Sequence, residues 1–427
     1  MNFIKSYIPW FDFKMFFKYA SGNFIFQITT ILAEIYVLKL VDVDQIGIWQ
    51  YGLLLQGYVI ISRLGIINSF NRDYPFLKSS EKEEKAKEVL STTSFHVLLS
   101  MLFQAILFLT IAVYHVVKGS DFNLILTMIV MIFYTVIEAA ASFEEAKLRA
   151  TIQFNKISFA KLLVSIITIL ALVFPYLFGF YGLLSRVLLI QLFLFTYYKL
   201  LKTEKVKKIF YKKIWIELFK DGWKLWLWSY LKSFNKNLPK LFLITFSTFS
   251  VLGFFTPLNW MLLALSLFTA SLSAYLYPNL SLRFGKGDKN LPRQLLVINS
   301  IVFCVAIPII VIAYFIVPYL VEQFLPKYIT VIVPMQIVLI ASLFDVYSLS
   351  STIWVATKDW FRMYLFLGIS LLIRILGLVW LYFNQQNILY NLSLTIIYTS
   401  IMVVVLVIIM LLQQENENKK KTSVLSI

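Results

Sequence analysis

Five lysines, Lys220, Lys224, Lys232, Lys236 and Lys240, stand at multiples of four residues along one largely apolar stretch. Spacings of three or four bring helical side chains to one face. The segment 220–246 therefore reads as a membrane-length helix with a cationic stripe. A lysine at mid-bilayer costs about 2.5–3.5 kcal/mol on insertion scales, so Lys232, Lys236 and Lys240 together would cost roughly 8–10 kcal/mol facing lipid. They are expected to face water or an anion. Lys220 and Lys224 fit snorkelling at one interface and Lys240 at the other; Lys236 fits neither.

Further ionisable residues fall inside apolar stretches: Glu34, Arg63, Glu138, Lys161, Arg186, Asp345 and Arg374. Charges within a membrane mark substrate or ion pathways by default. Arg63 and Lys161 are expected to snorkel to the cytoplasmic interface, and Glu138 can sit at a cytoplasmic helix end. Arg186 and Glu34 lie nearer the outer side. Asp345 and Arg374 are deep, and either serve a pathway or pair with each other or with a lysine. Cations outnumber acids in this set, which favours an anionic ligand such as a phosphate or pyrophosphate. Lys232, Lys236, Lys240, Arg374 and Arg186 are the candidate substrate-binding residues; Asp345 and Glu34 are candidates for proton or cation coupling. Trp223, Trp226, Trp228 and Tyr230 read as an interfacial aromatic belt rather than a sugar-stacking platform.

The elements that must carry these residues are membrane spans. The 427 residues are 60% hydrophobic and only 14% charged, with a mean hydropathy of +0.79. This is the composition of an all-α polytopic membrane protein. Apolar runs recur to Gln413 with no small-residue cleavage site after the first, so no removable signal peptide is expected. The net charge of +17 resides mostly in short connections, which is the positive-inside pattern and not a nucleic-acid surface. Cys304 is the single cysteine and excludes an intrachain disulfide. His96 and His115 stand without a ligand cluster, so no metal site is expected.

Twelve spans are expected, near residues 16–40, 46–70, 92–117, 122–141, 157–178, 182–199, 220–246, 252–277, 295–317, 329–355, 363–383 and 389–412. Residues 2–14 read as an interfacial lead-in. A cytoplasmic N-terminus places every strongly basic connection inside, leaving Lys39, Lys118 and Lys327 on the opposite loops, and it puts the C-terminus inside too. A repeat is also legible. Each half opens with an aromatic and basic stretch, FDFKMFFKYASGNF or IELFKDGWKLWLW; its second span begins near Gly47 or Gly253 and is followed by Tyr74-Pro75 or Tyr277-Pro278. The glycines are 206 residues apart (253 − 47) and the prolines 203 (278 − 75). Two parallel six-helix lobes around a central cavity follow: 1–200, a basic linker 201–217, 218–413, and a cytoplasmic tail 414–427.

No phosphate-binding glycine loop, HExxH or nucleophile elbow occurs in the sequence. The non-cytoplasmic loops are short, which disfavours a membrane glycan polymerase. Several stretches resemble the polysaccharide flippases of the multidrug/oligosaccharidyl-lipid/polysaccharide exporter superfamily, the group containing O-antigen and capsule-unit translocases. They are DQIGIWQYG, SRLGIINSFNRDYPF with EKEEKAKEV, FKDGWKLWLW, LGFFTPLNWMLLALSLFTASLSAYLYPNLS and IWVATKDWFRMY. The resemblance implies a bacterial inner-membrane transporter with no bound cofactor. Its cargo would be an undecaprenyl-pyrophosphate-linked oligosaccharide for O-antigen, capsule or exopolysaccharide. Transport would proceed by alternating access on a proton or sodium gradient, beside membrane lipids and a polysaccharide polymerase with its chain-length machinery. The sequence departs from the family where an acidic residue and an arginine often occur in the seventh span: here it reads SFNKNLPKLF, with Lys236 as the substitute. A cation-coupled small-molecule exporter on the same scaffold is the alternative.

Overall fold

The computed structural model describes residues 13–151, 153–201, 207–285, 288 and 290–425. The interfacial reading of residues 2–12 and the linker residues Lys202 and Lys205 lie outside the described residues, as do Lys286 and Lys289. The side chains of Tyr277, Pro278 and Lys419 to Lys421 lie outside them too. Among the described residues there is helix and no strand, as a bilayer requires of a chain that satisfies its backbone hydrogen bonds within each segment. Among the described residues, seven helices are long and apolar enough to cross a membrane, or up to eight if a pair bent by 50° counts as one span.

In chain order α1 is Phe13–Leu40, α2 Val43–Val59 and α3 Ile66–Ser79, with a 3-10 turn Ile60–Arg63 between the last two. Leu64 at φ 46° and Gly65 at φ 74° make that bend. The left-handed region suits glycine and strains leucine. Then follow α4 (Glu83–Val117), α5 (Phe122–Ala150), α6 (Phe154–Leu170), α7 (Val173–Leu200) and α8 (Lys212–Phe246). Next are α9 (Phe249–Gly285), α10 (Leu291–Phe324), α11 (Ile332–Phe344), the short α12 (Ser351–Ala356), α13 (Trp360–Phe383) and α14 (Ile388–Leu425). Side-chain caps fix two of the starts. Asp121 accepts from the Asn123 amide at 2.6 Å ahead of α5, and Asp359 from the Arg362 amide at 3.1 Å ahead of α13, each satisfying a donor the helix leaves open. Helix α8 is not among the seven apolar spans, because its lysines lower its mean hydropathy.

The chain divides into two compact units, one formed by Gly22–Gly253, the other by Phe254–Ile427 with the residues up to Ser21. In the first, Phe70, Tyr74, Leu90, Phe143 and Leu218 belong to one buried cluster that ties α3, α4, α5 and α8 together. In the second, Trp354 is fully buried and donates to Gln414 Oε1 at 3.2 Å, while Asn299 donates to Ser350. Large apolar side chains such as Leu102, Phe315 and Phe383 are exposed, the arrangement expected of surfaces bathed in lipid and not in water.

The first unit also contains the two glycines of the repeat. A methyl group added at Gly47 would overlap the Phe249 carbonyl, and one added at Gly253 would overlap the Val43 carbonyl. Val43 and Phe249 are themselves 206 residues apart (249 − 43), as Gly47 and Gly253 are. The starts of α2 and α9 thus meet reciprocally, each glycine against the repeat equivalent of its own neighbour four residues earlier.

Candidate functional site

Helix α8 positions three of the five candidate substrate-binding residues, and its lysines do not form the single-faced stripe that their spacing promised. A step of four residues exceeds a 3.6-residue turn by about 40°, so five steps from Lys220 to Lys240 carry the series roughly 200° around the axis. Accordingly Lys220 is exposed, whereas Lys240 turns to α2 and donates to Gln50 Oε1 at 3.0 Å. Lys236 is exposed, with no hydrogen bond or ion pair to a described residue; Lys232 is half-buried.

The face of α8 toward α2 and α3 is built differently. Gly222 packs backbone to backbone on Gly65, and a side chain at either would overlap the other's carbonyl. Ser69 donates to the Leu218 carbonyl beside them, and Arg72 bonds Asp221 at 2.7 Å. From Gly222, steps of three and four residues reach Trp226, Ser229, Tyr230 and Ser233, which share one face. Trp226 and Tyr230 stack with ring centroids 5.8 Å apart and planes 19° apart. This face, the bend between α2 and α3, and the end of α5 enclose a cavity of about 340 Å³ lined among others by Arg63, Asn68, Asn71, Arg149, Trp226 and Tyr230.

Ion pairs surround the cavity. Arg63, expected to snorkel alone, is paired with Glu138, while its carbonyl lies 3.2 Å from His96 Nε2. Arg149 is paired with Glu145 at 2.5 Å, and Glu145 also accepts from the Tyr198 hydroxyl at 3.3 Å. Arg63 Nε, Asn71 Oδ1 and Trp226 Nε1 are buried without a hydrogen-bond partner among the described residues. Each such group costs about 1–3 kcal/mol of desolvation, an expense that a polar ligand offsets when it binds.

The remaining candidates fall into pairs. Arg186, 1% exposed, donates to Glu34 Oε1 at 2.8 Å, so a residue assigned to ligand binding and one assigned to ion coupling meet in a single bond. Arg374 and Asp345, in the other unit, lie within electrostatic range of each other. Sequence reasoning passed over Asn68, Asn71 and Arg149, and assigned Trp226 and Tyr230 to an aromatic belt. The available signal was the Gly222, Trp226, Tyr230, Ser233 periodicity on the face opposite Lys220 and Lys224. Among the described residues no group of three or more His, Cys, Asp or Glu side chains could hold a metal ion.

A family profile described as polysaccharide biosynthesis protein matches residues 76–334, more than half of the chain. The chain belongs to this polysaccharide biosynthesis protein family. No curated protein matches the sequence closely enough to count as a relative. Solved structures do match this polysaccharide biosynthesis family member in fold. An inward-facing multidrug resistance MATE family transporter of the MOP superfamily superposes with a TM-score of 0.74 at 14% identity, covering 92% of this chain and 96% of its own. The outward-facing conformation of such a transporter gives 0.67 at 14% identity, with 94% of both chains covered. A MOP superfamily transporter from Pyrococcus furiosus, described as having a binding pocket whose reverse polarity suggests a different function, gives 0.68 at 14% identity and 94% coverage of both chains. At that identity the likeness establishes the fold. Family and fold together make this chain a polysaccharide biosynthesis family member with the fold of MOP-superfamily transporters.

Proposed function

We propose that the protein is a flippase that turns an undecaprenyl-pyrophosphate-linked oligosaccharide from the inner to the outer leaflet of a bacterial inner membrane. The product would feed O-antigen, capsule or exopolysaccharide assembly. The observation that carries this reading is the polysaccharide biosynthesis family match on a chain with a MOP-transporter fold. In this reading α1, the bent α2–α3 pair, α4 to α10, α11 with α12, α13 and α14 make twelve spans in two six-helix lobes with both ends cytoplasmic. Alternating access would be driven by a proton or sodium gradient, and a polysaccharide polymerase with its chain-length machinery would take the product. Lys236, exposed and without an ion-pair partner among the described residues, and Arg374 would engage the pyrophosphate, with Lys232, Lys240 and Arg186 supporting them. Ammonium and guanidinium groups suit phosphate oxygens at low dielectric.

The test is surface glycan in a strain whose own copy is replaced by variants. K236A and R374A are each expected to abolish it while membrane levels of the protein stay at wild type. Intact glycan in both variants would overturn the proposal. The multidrug transporters among the fold neighbours favour one second reading, a cation-coupled exporter of small molecules. There Glu34→Gln or Asp345→Asn, and not the lysine variant, would abolish drug efflux.

A further inference from the structure

The cavity enclosed by α2, α3, α5 and α8 is not accounted for by pyrophosphate binding, and its chemistry differs from that of the lysines. Its two guanidinium groups already face carboxylates, Arg63 with Glu138 and Arg149 with Glu145. Glu145 itself lines the space. A dianionic group would meet little uncompensated positive charge there and a carboxylate besides. The other polar contributors are the amides of Asn68 and Asn71 and the hydroxyls of Ser142, Ser229 and Ser233. Each of these both donates and accepts hydrogen bonds.

The unsatisfied atoms show the same balance: two donors, Arg63 Nε and Trp226 Nε1, and one acceptor, Asn71 Oδ1. A phosphate oxygen could serve the donors and would repel the acceptor. A sugar hydroxyl serves both kinds of group, because it gives one hydrogen bond and takes others. The nearly parallel Trp226 and Tyr230 rings add an apolar wall with polar tips, suited to the C–H face of a pyranose edged by hydroxyls. A volume of about 340 Å³ lies at the small end of ligand pockets, which run from about 300 to 1,000 Å³, and so suits a short saccharide and not a whole repeat unit.

We propose that this cavity is a saccharide subsite that holds an uncharged pyranose ring, a hexose or N-acetylhexosamine, of the transported glycan, apart from the residues that hold its pyrophosphate. The assignment rests on the flippase reading for the source of the sugar; the binding itself does not. The guanidinium–carboxylate pairs hold the ends of the bend and of α5 in place around the ring, and Asn71 with Trp226 reads its hydroxyls. The subsite makes the protein selective for the sugar as well as for the lipid pyrophosphate.

The full chain in lipid nanodiscs, probed by saturation-transfer NMR with a panel of methyl hexosides and N-acetylhexosaminides, tests the subsite. Saturable transfer is expected from at least one neutral sugar, undiminished by excess inorganic pyrophosphate. W226A should weaken that binding at least tenfold, and N68A, whose side chain is exposed and tolerates truncation, should weaken it several-fold if W226A does not fold. Transfer from no sugar in the panel would overturn the subsite, as would transfer displaced by pyrophosphate or unchanged in the folded variants. Such a failure leaves the flippase reading standing so long as K236A and R374A still abolish surface glycan. Intact glycan in those two variants with sugar binding retained would remove the flippase and keep the subsite.

Discussion

Burying Arg186 at 1% exposure is tolerable because Glu34 accepts its hydrogen bond at 2.8 Å. Breaking a buried pair by removing one partner costs about 3–5 kcal/mol, since the other charge is left uncompensated. Glu34→Ala, which leaves the fully buried Arg186 guanidinium unpaired, is therefore expected to lower the thermal unfolding midpoint of the detergent-purified protein sharply. K236A, which removes an exposed side chain, should leave that midpoint within a degree or two. Equal stability of the two variants would mean that the Arg186 pair contributes nothing. The sequence identified Arg186 and Glu34 as charges inside the membrane but gave them separate tasks. They are 152 residues apart (186 − 34), and no local periodicity signals a contact made between α1 and α7.

Helices can be read from hydrophobic period and length, yet their faces depend on small angular errors that accumulate. The lysines of α8 illustrate this: a four-residue repeat looks like a stripe over two turns and wraps half-way round over five. What α8 buries against its neighbours is set instead by Gly222 on Gly65 and by the Trp226, Tyr230 face. Close backbone approach also controls the reciprocal contact between the starts of α2 and α9. G47A and G253A each place a methyl against a carbonyl, and overpacking of this kind costs about 1–3 kcal/mol. Each should lower the unfolding midpoint followed by size-exclusion melting, and the double variant should lose less than the two single losses added, because the sites share one contact surface. Full additivity would show the two contacts to be independent. The glycines themselves were legible as repeat markers. Their meeting was not, because a repeat period carries no information about whether equivalent positions touch.

For the whole molecule, the distribution of Lys and Arg predicts the sidedness that the proposal requires. With the exposed Cys304 replaced by serine, Gln385→Cys in the turn before α14 and Glu84→Cys at the start of α4 provide exposed reporters. In spheroplasts a membrane-impermeant maleimide should label Gln385→Cys and should reach Glu84→Cys only after lysis. The opposite pattern would invert the topology and with it the inward placement of both termini.

Composition with run length determined that this chain is an all-helical membrane protein, because 60% hydrophobic residues gathered in runs of about 20 fit spanning helices and not the short alternating strands of a barrel. Local motifs carried the resemblance to polysaccharide exporters, which the family match bears out. The cavity by α8 was decided only by tertiary structure. Its polar walls come from three separate segments of the chain, and its aromatic stack lies on a helix face whose direction depends on where Gly65 and Gly222 allow two backbones to touch. Which charges remain free is a tertiary matter as well, since an ion pair is defined by distance in space, and the sequence records only distance along the chain.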